Sequence, residues 1–540
     1  MAEIPSYDVI ILGAGFSGCS LLYHLRKAGY NVHIFEKAPC VGGTWYWNHY
    51  PGARVDSNTP MYELDIPEVY NTWNWSQRFP DWQELREYFK HADKVLEVSK
   101  DTDFNTTITD AVWDEVSQTW TVTAENGKQA RAKFFLACVG FCAKNFTPDF
   151  KGLSKFKGEV YHSNEWPEGT VDLSGRRIGL IGTGSTGVQI TQEAGPVCEE
   201  LFVFQRTPNL CLHMKQEHYD PSAPIDKAKY EEYFKQRITS FGGFLFDFLK
   251  KKAIEDTPEE REKLYEELYA QGGFQFWVAN YHDVLLDAES NKFAYDFWQR
   301  KVSARIMDPK IAEILAPKVA PHPFGTKRPS LEQNYYEQFN RPNVHVVDVN
   351  AEPIAEFTEN GMRTSAGEYK FDLLILATGF DALTGSYKHM NIKGINGVDL
   401  NEKWAEKTRT YLGMTVHDFP NMFFTYGPQA PTAFSNGPSC IQVQTKFILD
   451  TLNHMRDNKL TSFNATGDAE MEYTTQIGED ASMSLFPLAK SWYMGANIPG
   501  KAVEMLNYIR GLPAYVDLLD TVEKENWKGV DFAPVAVAQN

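Results

Sequence analysis

The chain contains the same phosphate-binding motif twice. Gly13-Ala14-Gly15-Phe16-Ser17-Gly18 follows the apolar run Val9 to Leu12, and Gly182-Thr183-Gly184-Ser185-Thr186-Gly187 follows Ile178 to Ile181. Each GxGxxG therefore closes a strand and opens a helix. The glycines permit a tight turn and bring bare backbone up to a pyrophosphate, whose charge rests on the partly positive helix N-terminus. Two copies with matching flanks predict two dinucleotide sites in an α/β protein built on two Rossmann-like domains.

One position separates the copies. After Gly18 the second strand reads Val32-His33-Ile34-Phe35-Glu36, and after Gly187 it reads Leu201-Phe202-Val203-Phe204-Gln205-Arg206-Thr207. Glu36 and Gln205 each stand eighteen residues past their third glycine. A carboxylate there accepts hydrogen bonds from a free ribose 2′-OH and repels a 2′-phosphate, whereas a neutral Gln beside an Arg suits the phosphate. The first site is expected to hold FAD or NAD, and the second NADP. Charge-assisted contacts of about 1.5–3 kcal/mol each let Arg206 with one further cation favour NADPH over NADH by about 10² or more.

At 540 residues the chain exceeds one core, and two to four lobes are expected. A net charge of −18 argues against nucleic acid as a partner and leaves no basic stripe for a membrane. No stretch is long and apolar enough to span a bilayer, and a strand pattern begins within a few residues of Met1. The seven cysteines are scattered and lack CxxC spacing, so reduced thiols and a cytoplasmic location are expected. A monomer or weak homo-oligomer is expected.

Strand and helix patterns place the first part of the FAD-binding domain at 1–150 and the first part of the NADP-binding domain at 151–214. Long polar helices mark an insertion at 215–325. The second domain is expected to resume over 326–381 and the first over 382–540. Within the insertion, Thr257-Pro258-Glu259-Glu260 reads as a helix start with Thr257 as cap, running to Gln271. Phe241 to Lys252 reads as a packed helix with a solvated lysine end. The strand end Ala377-Thr378-Gly379 reads as a crossing between domains.

Between the two glycine sites lies Phe156-Lys157-Gly158-Glu159-Val160-Tyr161-His162-Ser163-Asn164-Glu165-Trp166-Pro167. It matches the FxGxxxHxxxWP signature, and with it the chain resembles the Baeyer-Villiger monooxygenases of the cyclohexanone and phenylacetone monooxygenase type. The resemblance extends to Gly42-Gly43-Thr44-Trp45-Tyr46-Trp47-Asn48-His49-Tyr50-Pro51-Gly52, Lys327-Arg328-Pro329, Ala377-Thr378-Gly379, and Ser491-Trp492 through Gly495 to Lys501. One departure is His49, where family members commonly carry Arg.

The resemblance implies FAD and NADPH as cofactors and conversion of a ketone, with O2, to an ester or lactone through a C4a-peroxyflavin; a cyclic ketone is expected. It implies an FAD site of Gly13, Gly15, Phe16, Ser17, Gly18, Glu36, Gly43, Thr44, Trp45, Trp47, Asp56 and Tyr62. It implies an NADP site of Gly182, Thr183, Gly184, Ser185, Thr186, Gly187, Arg206, Thr207, Lys327, Arg328, Ala377, Thr378 and Trp492. Arg328 is the implied fixed cation, Asp56 its carboxylate partner, Lys327 a second phosphate contact, and Trp492 a loop residue packing against NADP. His162 is the implied domain-coupling residue. The segment Gly427 to Asn436 resembles the substrate loop, with Thr432, Ala433 and Phe434, joined by Phe276 and Trp277, as lining. No metal is expected.

Other readings predict different residues. A flavin disulfide reductase needs a cysteine pair after Gly42-Gly43, where the chain has Thr44-Trp45-Tyr46-Trp47. Heteroatom and N-hydroxylating monooxygenases usually lack the Trp-Pro of the signature. A non-catalytic NADPH sensor has no need of Arg328 with Asp56 or of an intact flavin site.

Overall fold

A computed structural model describes residues 4–220, 222 and 225–534. The apolar run Ser6–Leu12 is buried along its C-terminal half because parallel strands flank it on both sides. Leu12 pairs with Phe35 of Val32–Phe35 on one side and with Ala137 of Gln129–Ala137 on the other. Beyond Gln129–Ala137 the sheet becomes antiparallel through Thr119–Ala124 and Ile108–Asp114. Two late segments complete it: Met422–Phe424 runs parallel to Gln129–Ala137, and Asn391–Lys393 parallel to Ile108–Asp114. The chain leaves this sheet after Ala137 and rejoins it at Asn391.

The intervening chain builds a second, wholly parallel sheet. Its order is Val344–Asp348, Glu200–Gln205, Arg177–Ile181, Leu373–Leu376, Glu159–His162. Both glycine motifs stand at the carboxyl ends of central strands, where open α/β sheets bind ligands. The outgoing and returning segments between the sheets pair with each other. Phe146 N–H donates to Gly379 O at 2.9 Å, Asp381 N–H to Lys144 O at 2.9 Å, and Leu383 N–H to Phe141 O at 2.9 Å.

In the insertion, the helix Pro258–Gln271 starts on a complete capping box: Thr257 Oγ1 accepts from Glu260 N–H while the Glu260 carboxylate accepts from Thr257 N–H. Phe241 to Lys252, expected to be helical, is irregular instead. Gly243 adopts φ +76, and a Cβ there would lie 2.6 Å from Ser439 Cβ, so the chain turns where a helix would have continued. Its aromatic residues still pack inward, with Phe241 against Phe248 and Phe434. Among the described residues no helix is long and apolar enough to cross a membrane, and no group of His, Cys, Asp or Glu could hold a metal ion. The seven cysteines are free.

Candidate active site

The first glycine loop is closed by backbone. Gly13 adopts φ +100, and a Cβ on it would sit 2.6 Å from Cys138 O; one on Gly18 would sit 1.9 Å from Gly13 O. Gly15 faces Gly43, whose own Cβ would lie 2.8 Å from Gly15 Cα. Only glycines let these two loops touch. Phe16 packs edge-on against Tyr62 at 5.0 Å, and Trp45 Nε1 donates to Tyr62 Oη at 3.0 Å. Ser17 is buried, Thr44 is exposed at the start of the Thr44–Trp47 helix, and Lys37 Nζ lies 5.2 Å over the Trp47 ring.

Glu36 bends back to this loop. Its carboxylate accepts from Ala14 N–H at 2.6 Å and from Ala38 N–H at 2.7 Å. It is 5% exposed, and burial pushes its pKa up against the pull of these backbone donors. The acid is thus anchored under the loop with acceptor capacity left for a ribose hydroxyl.

The second loop repeats the plan with one opening. Cβ atoms on Gly182 and Gly187 would meet Ala377 O at 2.3 Å and Gly182 O at 2.0 Å, but nothing lies within 4 Å of one on Gly184. The middle glycine therefore presents bare backbone to whatever occupies the cleft. Around it, Thr183 Oγ1 donates to Thr207 O at 2.9 Å, Asn209 Nδ2 to Thr183 O at 2.9 Å, and Ser185 Oγ meets Ser330 Oγ at 2.8 Å.

Gln205 does not face this cleft. It is buried, donating from Nε2 to Ile314 O at 2.8 Å, so it ties the sheet to the insertion instead of reading a phosphate. Arg206 is exposed beside it. Burial, and then the positive charge of Arg206, lower the Lys327 pKa to about 8. Two cations that repel one another across a cleft suit a dianionic phosphate.

Arg328 and Asp56 meet where the two units face each other. Arg328 Nε donates to Asp56 Oδ2 at 2.7 Å and Nη2 to Asp56 Oδ1 at 2.8 Å, a bidentate pair between residues 272 apart in sequence. Arg328 Nη1 donates to Ala433 O at 2.9 Å and more weakly to Ser435 O at 3.4 Å. Burial opposes the guanidinium charge, but the Asp56 charge and hydrogen bonds outweigh it and hold the pKa above the usual arginine value. The guanidinium also lies over Phe274 at 4.8 Å and Trp277 at 5.9 Å.

The substrate-loop residues divide by role. Ala433 contributes its carbonyl, and Thr432 Oγ1 donates to Gly427 O at 2.7 Å. Phe434 presents its ring to Phe486 at 4.9 Å, Tyr493 at 5.0 Å and Trp277 at 6.3 Å. Phe276, by contrast, packs inside the insertion against Tyr265, Phe297 and Phe324, each between 5.3 and 5.4 Å. Trp277 thus packs beside Arg328 and Phe434, and Phe276 does not.

His162 ends the edge strand Glu159–His162, with Nδ1 accepting from Asn164 N–H at 3.2 Å and Nε2 3.4 Å from Thr378 Oγ1. Thr378 Oγ1 donates to Phe146 O at 2.6 Å, so His162 touches both segments that cross between the sheets. Burial lowers its pKa. Trp492 stacks on Phe141 of the outgoing crossing at 5.5 Å. Farther along its loop, Asn497 Nδ2 donates to Phe380 O at 2.9 Å and Lys501 pairs with Asp381 at 2.7 Å.

Four contributors escaped the sequence reading. Arg86 places its guanidinium against His49 Nδ1 at 3.0 Å, over the Tyr46 and Trp82 rings at 5.0 and 4.9 Å. A cation thus stands beside His49 although it comes from another helix. Asn209 and Ser330 brace the second glycine loop. Tyr50 reaches from the first unit to that loop's helix, and of the four only Tyr50 lay inside a motif.

A model of the flavin-binding monooxygenase-like family matches residues 6–257. Cyclopentanone 1,2-monooxygenase from a Comamonas species is 45% identical, covering 97% of this chain and 96% of that protein. A Baeyer-Villiger monooxygenase from Pseudooceanicola batsensis is 37% identical, covering 96% of this chain and 95% of that one. The crystal structure of OTEMO in complex with FAD and NADP aligns with a TM-score of 0.94 at 36% identity, covering 98% of this chain and 100% of that one. With both glycine sites formed and relatives matching along nearly its whole length, the chain belongs to the Baeyer-Villiger monooxygenases of the flavin-binding monooxygenase family.

Proposed function

We propose that this protein uses NADPH and O2 to insert an oxygen atom beside the carbonyl of a cyclic ketone, giving a lactone, with FAD held at the first glycine site and NADPH at the second. The observation that carries this reading is the Arg328–Asp56 pair, partly buried beside the Phe274 and Trp277 rings between the two sites. When bound, FAD accepts a hydride from NADPH and activates O2 for transfer to the ketone.

The chain's own residues supply position and charge. The Gly13 to Gly18 loop, Glu36 and the Trp45–Tyr62 pair hold the flavin nucleotide. The Gly182 to Gly187 loop takes the NADPH pyrophosphate, and Arg206, Thr207 and Lys327 surround its 2′-phosphate. Arg328 is kept protonated and oriented, with four of its five N–H groups engaged. The remaining Nη2 hydrogen is available to stabilise negative charge that develops on oxygen in the cleft; one such preorganised donor is worth about 10²–10³ in rate. Phe434, Trp277 and Tyr493 exclude water from that charge and offer an apolar wall to the ketone ring. His162 and Thr378 couple the two crossings, and Trp492 closes the cleft side of the outgoing one.

The sharing of one sheet by early and late strands supports assigning 1–150 and 382–540 to the flavin unit. The second sheet supports 151–214 and 326–381 as the nicotinamide unit, with 215–325 inserted. The free cysteines support a reducing cytosol.

The test is a screen of cyclic, linear and aryl ketones with NADPH, with products read by mass. A gain of one oxygen on cyclic ketones is expected. NADPH oxidation that yields only H2O2 with every ketone contradicts the reading.

A further inference from the structure

We propose that Tyr50 and Gln189 form a spacer between the two nucleotide units and act as positioning residues for hydride transfer. The inference rests on the function proposed above. Tyr50 belongs to the loop that leads to Asp56, and Gln189 to the helix Ser185–Ala194 that opens the second glycine site. Tyr50 Oη donates to Gln189 Oε1 at 2.8 Å and accepts from Thr186 Oγ1 at 3.2 Å. Gln189 Nε2 returns a bond to Arg54 O at 3.0 Å. Both side chains are buried, and burial pushes the Tyr50 pKa up to about 12, so the hydroxyl remains a donor.

The backbone beside this contact leaves no slack. Gly52 adopts φ +80, and a Cβ there would lie 2.8 Å from Glu193 Cγ and 2.9 Å from Gln189 O. On its other side the seam opens into a polar cavity of about 110 Å³, lined in part by Gly52, Arg54, Gln189, Gln192 and Gln333. A seam that is tight at one point and open and polar next to it is aligned by its specific hydrogen bonds more than by apolar packing.

With NADPH bound as proposed, the N-terminus of this helix would hold its pyrophosphate, and the tilt of the helix would set where the nicotinamide is presented to the flavin. The hydride that leaves NADPH carries both electrons to the flavin, leaving NADP+ and reduced flavin. That transfer needs the reacting atoms about 3–3.5 Å apart, and a 1 Å misplacement costs about 10²-fold. A contact that sets helix tilt therefore changes the reduction rate more than it changes how tightly the nucleotide binds.

The experiment compares wild type, Tyr50→Phe and Gln189→Met as FAD-loaded enzymes. It reads anaerobic flavin reduction by NADPH, NADP+ affinity, melting temperature, and amide hydrogen exchange over residues 185–194. Each variant is expected to slow reduction about tenfold or more, to exchange faster over 185–194, and to keep its NADP+ affinity within about twofold, with the melting temperature lowered by no more than a few degrees for the buried bonds lost. The double variant is expected to be slowed by less than the product of the two single effects, because the singles share the Tyr50–Gln189 contact and differ only in the Thr186 and Arg54 bonds. A wild-type reduction rate in both variants overturns the proposal, as does a loss confined to NADP+ affinity or melting temperature. A wild type that NADPH fails to reduce contradicts the proposed function itself, so the two failures are separable.

Discussion

The two glycine loops are nearly superimposable in their constraints and opposite in the charge placed beside them. Gly13 and Gly182 adopt φ +100 and +108, and Cβ atoms on Gly18 and Gly187 would strike a carbonyl at 1.9 and 2.0 Å. Beyond the glycines the sites part. In the first, Glu36 folds under the loop and accepts two backbone N–H groups, leaving an acid beside the turn. In the second, the equivalent Gln205 turns away to Ile314 O, and the charge comes from Arg206 and from Lys327, a residue far along the chain. The motif thus dictates a turn, while the charge beside it is delivered by side chains from other segments.

Arg328 and Asp56 are where the two units cease to be separate, and disrupting them has the largest expected effect. Arg328→Ala removes the oriented cation and leaves Asp56 uncompensated. Lactone formation is expected to fall by about 10² or more, measured as product per NADPH consumed, with a rise in H2O2. Normal product yield in this variant sinks the assignment. Next in size, Glu36→Gln keeps the shape but removes the charge that receives Ala14 and Ala38 N–H. Charge-assisted bonds exceed neutral ones by about 1 kcal/mol, so FAD affinity is expected to weaken about fivefold, read by flavin released on dilution. An unchanged flavin content would place the recognition elsewhere.

A smaller effect arises from pH. Lys327 titrates near 8 because burial, followed by Arg206, disfavours its charge. As pH rises through that value the lysine loses its proton and, in the role proposed above, the 2′-phosphate would lose a cation. The NADPH KM is expected to climb a few-fold between about pH 7 and 9 while the NADH KM stays level. A bound phosphate favours the protonated lysine, so saturating NADPH moves the transition to higher pH. Parallel climbs for both nucleotides contradict this role. The smallest effect belongs to Gln205→Leu, which is expected to lower the melting temperature by removing the bond to Ile314 O yet leave the NADPH to NADH preference within about twofold. A large swing in preference would return Gln205 to the phosphate.

Much of this was legible in the chain because its local signals agree. The glycine spacing, the apolar runs before it and the Thr257-Pro258-Glu259-Glu260 start each specify one conformation, and each forms. The bidentate meeting of Arg328 with Asp56 was legible only through family resemblance, since nothing local brings together residues 272 apart. Phe276 and Trp277 were inseparable because both are apolar neighbours on the four-residue helix Gln275–Val278, and only the packed insertion decides which one faces the cleft. Phe241 to Lys252 misled because its aromatic spacing suits a helix, whereas Gly242-Gly243 meets Ser439 from a distant segment. Arg86 was missed for the same reason, as its target His49 lies on another element.

As proposed, the second site takes a phosphate that the first excludes. This is tested most directly by the ratio of kcat/KM for NADPH to that for NADH in Arg206→Ala/Lys327→Ala. Losing two charge-assisted contacts is expected to cut that ratio about 10²-fold or more, almost wholly through the NADPH KM, with the NADH value close to wild type. An equal loss for both nucleotides, or a ratio unchanged from wild type, would contradict the account.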